Sequence, residues 1–491
     1  MKAFLLNGIA LIGLAGWVLL SAGWAQAVTT RVSVDNVGNQ ANNISISPSI
    51  SADGRFVAFQ SVANNLVAGD TNGYSYDIFV HDRQTGTTTR VSVDSAGGQA
   101  NGDSNSPSIS ADGRFVAFRS NANNLVAGDT NDPYGYSYDI FVHDRQTGTT
   151  TRVSVDSAGG QANGDSNSPS ISADGRFVAF VSGATNLVTG DTNGKSDVFV
   201  HDRQNGTTTR VSVDSAGNQA SGYAGSSAPS ISADGRFVAF VSDATTLVAG
   251  DTNGKSDVFV HDRQSGTTTR VSVDSAGGQA NYDSWEVSIS ADGRFVAFTS
   301  GATNLVAGDR NGQSDVFVHD RQNGTTTMVS VDSAGVQANG SADFIPTGSP
   351  SINADGRFVA FYSSANKLVG GDTNGQPDVF VHQRPCDLDT DCDGIPDTQD
   401  NCIYVPNGPL APDAGGQSQR DTNGDGYGNV CDADLNNDGL VTAADYMILR
   451  SRLNTTNADA DLNGDGQVTI ADYLILRGLL NKAPGPSGLV P

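Results

Sequence analysis

The chain has 491 residues, with 53 acidic side chains against 28 basic ones and a formal net charge of −25. Only one of the acids, Glu286, is a glutamate; the rest are aspartates. This balance argues against a nucleic-acid binder, whose phosphate contacts need Lys and Arg, while aspartate at regular short spacing suits a hard cation such as Ca²⁺.

The N-terminus reads as a targeting signal. Lys2 gives a positive start, Phe4 to Leu20 an apolar run, and Ala25-Gln26-Ala27 a small-x-small site. Residues 1–27 are therefore expected to be a signal peptide cut after Ala27. The apolar run is short for a membrane span, and no other stretch could cross. A secreted or cell-surface protein is expected.

From there one phrase dominates. ADGRFVAF begins at Ala52, Ala111, Ala173, Ala233, Ala291 and Ala354, at spacings of 59, 62, 60, 58 and 63 residues. Near-verbatim repetition at this period signals an array of small units. In the third unit, Ser168–Ser172 reads as strand a and Asp174-Gly175 as a hairpin turn. Arg176–Ser182 alternates as strand b, Asp197–Asp202 is strand c and Thr207–Asp214 strand d. Four antiparallel strands per unit fit a propeller blade, and six units fall within the usual four to eight. The fold class expected for 28–385 is an all-β six-bladed β-propeller. Its N-terminal strand, Thr29–Asp35, would complete the last blade, which lacks a d strand of its own, and so remove the sheet edge.

The phrase SADGRFVAFxS … DVFVHDRQxGTTTRVS resembles the TolB-like, WD-like propeller repeats of bacterial envelope and secreted proteins. That resemblance implies fold and leaves function open.

The a–b and c–d turns are short and nearly invariant, whereas the b–c and d–a loops are long and varied. They carry Tyr74, Tyr76, Tyr134, Tyr136 and Tyr138, then Tyr223, Tyr282, Trp285, Glu286 and Phe344. Aromatic loops on a rigid scaffold are where binding usually lives; drift in solvent loops is the alternative. A lectin-like propeller would use Tyr134, Tyr136 and Tyr138. The six histidines share one slot of strand c (His81, His143, His201, His261, His319, His382) and read as structural. Glycosidase chemistry needs a carboxylate pair in distinct environments, and here it would have to come from aspartates copied among the repeats. A non-catalytic propeller is expected. The b–c pattern Asp191/Asn193/Asp197 could hold Ca²⁺, but it lacks the further acids of strong sites and reads as an Asx-stabilised turn.

The repeat stops at Pro385. All four cysteines (Cys386, Cys392, Cys402 and Cys431) lie in the next segment, 386–433. In an oxidising compartment they are expected as disulfides, with three pairings possible; Cys386–Cys392 with Cys402–Cys431 is the one favoured. Asp389, Asp391, Asp393 and Asp397 stand at loop positions 1, 3, 5 and 9, and Asp421, Asn423 and Asp425 repeat the start of that spacing. With the cysteines, the segment resembles thrombospondin type 3 repeats, which implies Ca²⁺ and disulfides in place of an apolar core.

Two 12-residue loops follow within 434–483. Asp434, Asn436, Asp438, Leu440, Thr442 and Asp445 occupy positions 1, 3, 5, 7, 9 and 12 of the first. Asp461, Asn463, Asp465, Gln467, Thr469 and Asp472 do so in the second. Oxygen ligands at this spacing, with position 7 offering its carbonyl, make an EF-hand-type calcium loop. Each loop runs into an expected helix with none before it. This duplication resembles a type I dockerin, which implies two Ca²⁺ ions and a protein partner, a cohesin, contacted by loop positions 10 and 11. Here those are Ala443-Ala444 and Ile470-Ala471 rather than Ser-Thr, which suits an apolar docking face equally well. Residues 484–491 read as a disordered tail. The function expected is calcium-dependent docking, with the propeller as a protein or glycan interaction scaffold. The alternative is a dockerin-tethered enzyme or carbohydrate-binding protein of polysaccharide breakdown.

Overall fold

A computed structural model describes residues 30–484 except 131–136, 224, 334, 339–347, 371, 373–376, 385–398, 400, 403–416, 419, 424–426, 439 and 481. The signal segment, Tyr134, Tyr136, Phe344, Cys386, Cys392, Asp389, Asp391, Asp393, Asp397 and Asp425 thus lie outside the described residues.

The chain forms a six-bladed all-β propeller followed by two short helices. Blades 1 to 6 span 45–90, 104–152, 166–210, 226–270, 284–328 and 348–383. Blade 3 shows the pattern, with strands a (Ser166–Ile171), b (Phe177–Ser182), c (Asp197–Asp202) and d (Thr207–Arg210), each antiparallel to the next. Alternation in strand b sends Val178 and Phe180 into one core and Ala179 and Val181 into the next. Each blade is therefore apolar on both faces, and the cores lie between blades. Phe180 of strand b and Phe199 of strand c lie ring to ring at 5.9 Å.

The repeated phrase builds these junctions. Gly235 of blade 4 has φ +72°, and a Cβ there would come within 2.1 Å of the Phe177 ring of blade 3. Arg263 of blade 4 lies 4.5 Å from the centre of the same ring. Between blades, Ala173 N–H donates to the Ala233 carbonyl, and Ile231 N–H to Ser170 Oγ. The same bonds recur at all five junctions.

Within each of blades 1 to 5 the a–b turn is clamped to the c–d turn by a two-pronged ion pair. In blade 3, Arg176 donates to Asp202 at 2.9 and 2.7 Å. This bond, the largest cause, holds the Asp202 carboxyl at about 2, below its usual range. A depressed carboxyl stabilises the fold above its unfolded value and ceases to as pH falls through the folded one. Denaturant unfolding followed from about pH 5 down to pH 2 should therefore show stability falling, and Asp202→Asn should flatten that slope.

Two expectations need correction. Strand d ends at Arg210, short of Asp214. Ser212 turns its hydroxyl inward, donating to Asp197 Oδ1 at 2.5 Å and accepting from Val198 N–H at 3.1 Å. Its backbone therefore leaves the ladder, and Val213 pairs with Gln219 in a small hairpin. Second, the described part of the N-terminal segment, 30–35, does not pair with the last blade, whose sheet has three strands among the described residues. Val34 pairs with Gln40 in the same kind of hairpin, which sits on blade 1: Thr88 N–H donates to Asn36 Oδ1 at 2.6 Å. Strand c of blade 6 (Asp378–Gln383) consequently alternates between half-buried and exposed, where every other strand c is fully buried.

A candidate metal centre and docking face

Thr442 and Thr469 begin the helices α1 (Ala443–Arg452) and α2 (Ile470–Leu479). Each threonine side chain accepts an N–H of the first turn, while Asp445 or Asp472 accepts the N–H of the capping threonine. Such reciprocal capping satisfies donors a helix start leaves open. The same two aspartates reach back into their loops: Asn436 N–H donates to Asp445 Oδ1 at 3.2 Å and Asn463 N–H to Asp472 Oδ1 at 3.1 Å. Asp461 accepts Gly464 and Gly466 N–H, both at 3.0 Å. Gly466, at loop position 6, has φ +89°, as the tight bend requires. Asp438 and Asp465 accept the N–H groups of Leu440 and Gln467.

Among the described residues no three acidic side chains converge on one point; the loop oxygens accept backbone N–H groups instead. The donor set nevertheless fits a calcium ion. Asp434, Asp445, Asp461 and Asp472 are all buried in this one small unit. Arg420 approaches Asp461 at 3.9 Å. Buried carboxylates at this density call for compensating positive charge, and oxygen at positions 1, 3, 5, 9 and 12 supplies hard ligands.

The preceding segment is tied to the same unit, which sequence reasoning missed. Arg420 donates to the carbonyls of Asp461 and Ala458, and Thr422 to Asp459 Oδ1 at 2.9 Å. Asn423, placed in a separate loop by its spacing, donates to Asn437 at 3.3 Å. Asp421 stands beside them, half-buried. A disulfide joins Cys402 to Cys431.

On the helices, Ala443, Ala444 and Ile470 are exposed and Ala471 is half-buried. Ile470, Met447 and Leu474 are 68, 58 and 51% exposed. Tyr446 and Tyr473 meet at 5.4 Å between the two helices and line a groove with Leu453 and Ile470. An exposed apolar face results.

The propeller loops offer less. Trp285 and Glu286, read above as loop residues, belong to strand a of blade 5 (Ser284–Ile289), with Trp285 paired to Thr299. Glu286 accepts Ser349 N–H at 2.5 Å and so ties blade 5 to blade 6. Tyr138 lies 4.6 Å from the Arg119 guanidinium, while Tyr74 and Tyr223 stand in solvent. The first five histidines each bond a strand-d threonine at 2.9 Å, as His201 does Thr208. Burial pushes their imidazoles down, to about 4 for His319.

The b–c loops form Asx turns: Asn193 Oδ1 accepts Lys195 N–H at 2.9 Å, and Asn193 Nδ2 donates to Asp197 at 3.0 Å. Between Asp191 and Asp197 lies Arg210 Nη1, 3.5 Å from each. Blade 5 lacks that cation, because Met328 fills the slot of Arg210 opposite the strand-c phenylalanine. Burial, the leading cause, pushes Asp309 and Asp315 up, and Asp309 Oδ2 is buried with no hydrogen-bond partner. Raised carboxyls stabilise the fold at low pH and lose that effect as pH rises through their folded values. Met328→Arg is therefore expected to stabilise the chain near neutral pH by about 1 kcal/mol, seen as a Tm gain of about 1–2 °C. Arg210→Met should lower Tm.

Residues 432–481 match the dockerin type I domain family, and residues 385–409 match the thrombospondin type 3 repeat. No curated protein matches the chain. A TolB structure from Agrobacterium tumefaciens aligns at 17% identity and TM-score 0.37, over 59% of this chain and 81% of its own. TolB from Acinetobacter baumannii aligns at 18% and 0.33, over 58% of this chain and 53% of its own. The propeller domain of the trilobed protease from Pyrococcus furiosus aligns at 12% and 0.41, over 69% of this chain and 82% of its own. By its sheets the chain is a six-bladed propeller, and by the family matches it continues into a segment similar to thrombospondin type 3 repeats and a domain similar to type I dockerins.

Proposed function

We propose that this is an exported, calcium-dependent docking protein. The division proposed is a signal peptide (1–27), a propeller scaffold (28–385), a calcium- and disulfide-stiffened connector (386–433) and a docking module (434–483). Two Ca²⁺ ions are taken by Asp434, Asn436, Asp438, the Leu440 carbonyl, Thr442 and Asp445, and by Asp461, Asn463, Asp465, the Gln467 carbonyl, Thr469 and Asp472. Further Ca²⁺ is held by the connector aspartates. The observation that carries this is the burial of four carboxylates in two duplicated loops. No helix among the described residues is long and apolar enough to cross a membrane.

The docking face is Ala443, Ala444, Ile470 and Ala471 with Met447 and Leu474, and its partner is a protein with an apolar surface, a cohesin-like domain among the candidates. The propeller is non-catalytic and displays its loop face to a protein or glycan. Affinity capture on the immobilised chain, with and without Ca²⁺, tests the docking. Retention of a partner only with calcium, lost in Ile470→Asp, is the expected result. Equal retention in EDTA would count against it.

A further inference from the structure

The two ends of the propeller are the two halves of one junction. Strand-c valines 198 and 200 of blade 3 are 0% exposed beneath blade 4; their counterparts in blade 6, Val379 and Val381, are 77 and 66% exposed. Ile231, which blade 4 packs against blade 3, is 8% exposed, and the same isoleucine of blade 1, Ile50, is 58% exposed. The ring-on-glycine contact is split in the same way. In blades 1 to 5 a strand-b phenylalanine lies against the glycine and arginine of the following blade. Among the described residues, the cation beside Phe358 of blade 6 is its own neighbour Arg357, at 5.1 Å. Gly54 of blade 1 meets Arg83 and Ile50 of its own blade and no ring among the described residues.

The missing strand follows the same logic. The hairpin after each strand d sits on the next blade, as Val93 and Ser95 sit on Thr150 of blade 2. Val34 and Asn36 already sit on Thr88 of blade 1 in that manner. The residues just before them, Thr30-Arg31, repeat the text of a strand d and belong to the edge of a preceding blade. Among the described residues strand c of blade 6 has no strand d beside it, and a groove lined by Val331, Ser333, Phe361, Leu368, Phe380 and Val381 runs there.

Blade 6 of the same chain is not in place to receive them. The five junctions use the same bonds at the same distances, yet the first and last sheets do not pack as neighbours do. Closing the ring would mean bringing together two end sheets that are apart here. A second copy fits the ends as they stand, and a head-to-tail interface whose rotation does not close gives an open assembly. We infer that the propeller associates head to tail, with blade 6 of one copy receiving blade 1 and the N-terminal strand of the next through a sixth junction of the same design as the five within the chain.

Sedimentation of the full chain over a concentration series, in EDTA so that calcium-dependent docking is silent, tests this. The expected result is a mass that rises with concentration without a fixed end point. Ile50→Glu and Val381→Glu each alter a residue already exposed, so each should fold with an unchanged β signal. Each should also weaken association about thirtyfold or more, because a charge then enters a buried junction. A mixture of the two variants should recover a dimer and nothing larger, since each retains one intact end. A monomer at every concentration, as intramolecular closure would give, overturns the inference, and so does association that both substitutions leave unchanged.

Discussion

Chelating calcium is expected to abolish the helical signal of the C-terminal module and leave the β signal of the propeller intact. The two helices have 10 residues each, too few to persist alone in water, where about 12–15 are marginal even for good helix formers. Their packing rests on one small cluster of Val441, Leu449, Ala460, Leu462, Val468 and Leu476. Beside it lie four buried carboxylates, which call for compensating positive charge. An ion at about a hundred times its Kd contributes about 2.7 kcal/mol per site, so two sites contribute about 5 kcal/mol. That is comparable to the whole stability of a domain this small. Asp445→Ala and Asp472→Ala should each go further than loss of the ion, since each also removes a helix cap. Far-ultraviolet circular dichroism with EDTA and back-titration checks this; a helical signal unchanged by EDTA would contradict it.

Gly235→Ala should be among the most damaging single-methyl changes in the propeller, with the equivalent changes at Gly113, Gly175 and Gly356. The position is left-handed, and an L residue there costs about 1–2 kcal/mol. The added carbon also meets the Phe177 ring at 2.1 Å, which the ring cannot absorb without leaving Arg263. Overpacking adds about 1–3 kcal/mol, for a total near 2–5 kcal/mol. Gly206→Ala, at φ +69° with open space around it, should show the backbone cost alone. The difference between the two in urea midpoint isolates the inter-blade clash.

The blades could be read from the text because RFVAFVS and DVFVHD alternate between two apolar faces, and the glycine turns between them admit little else. The end of strand d could not. Its VSVD alternates like a strand, and what stops it is the Ser212 hydroxyl meeting Asp197, 15 residues back. Ring closure was misjudged for a related reason. Thr30-Arg31 carries strand-d text, but whether blade 6 lies beside it depends on rotation accumulated over five junctions, which no local pattern encodes. Trp285-Glu286 looked like loop because it breaks the SNSPSI wording, yet it fills the same strand slot. The two twelve-residue loops and the helices they enter were clear from spacing alone, because each loop closes on its own helix cap without a distant partner. Arg420 reaching the carbonyls of Ala458 and Asp461 left no such trace. Met328 is visible as one break in TTTR, but its meaning appears only when Asp309 and Asp315 are seen beside it.

The central claim is a division of labour: calcium chemistry after the last blade and a metal-independent scaffold before it. Hydrogen exchange by mass spectrometry on the full chain, with calcium and with EDTA at one protein concentration, tests that division most directly. Calcium should slow exchange across residues 434–480 and leave peptides from the blades, including the b–c loop at 191–197, unchanged. Slowing in the b–c loops, or none across 434–480, would contradict it.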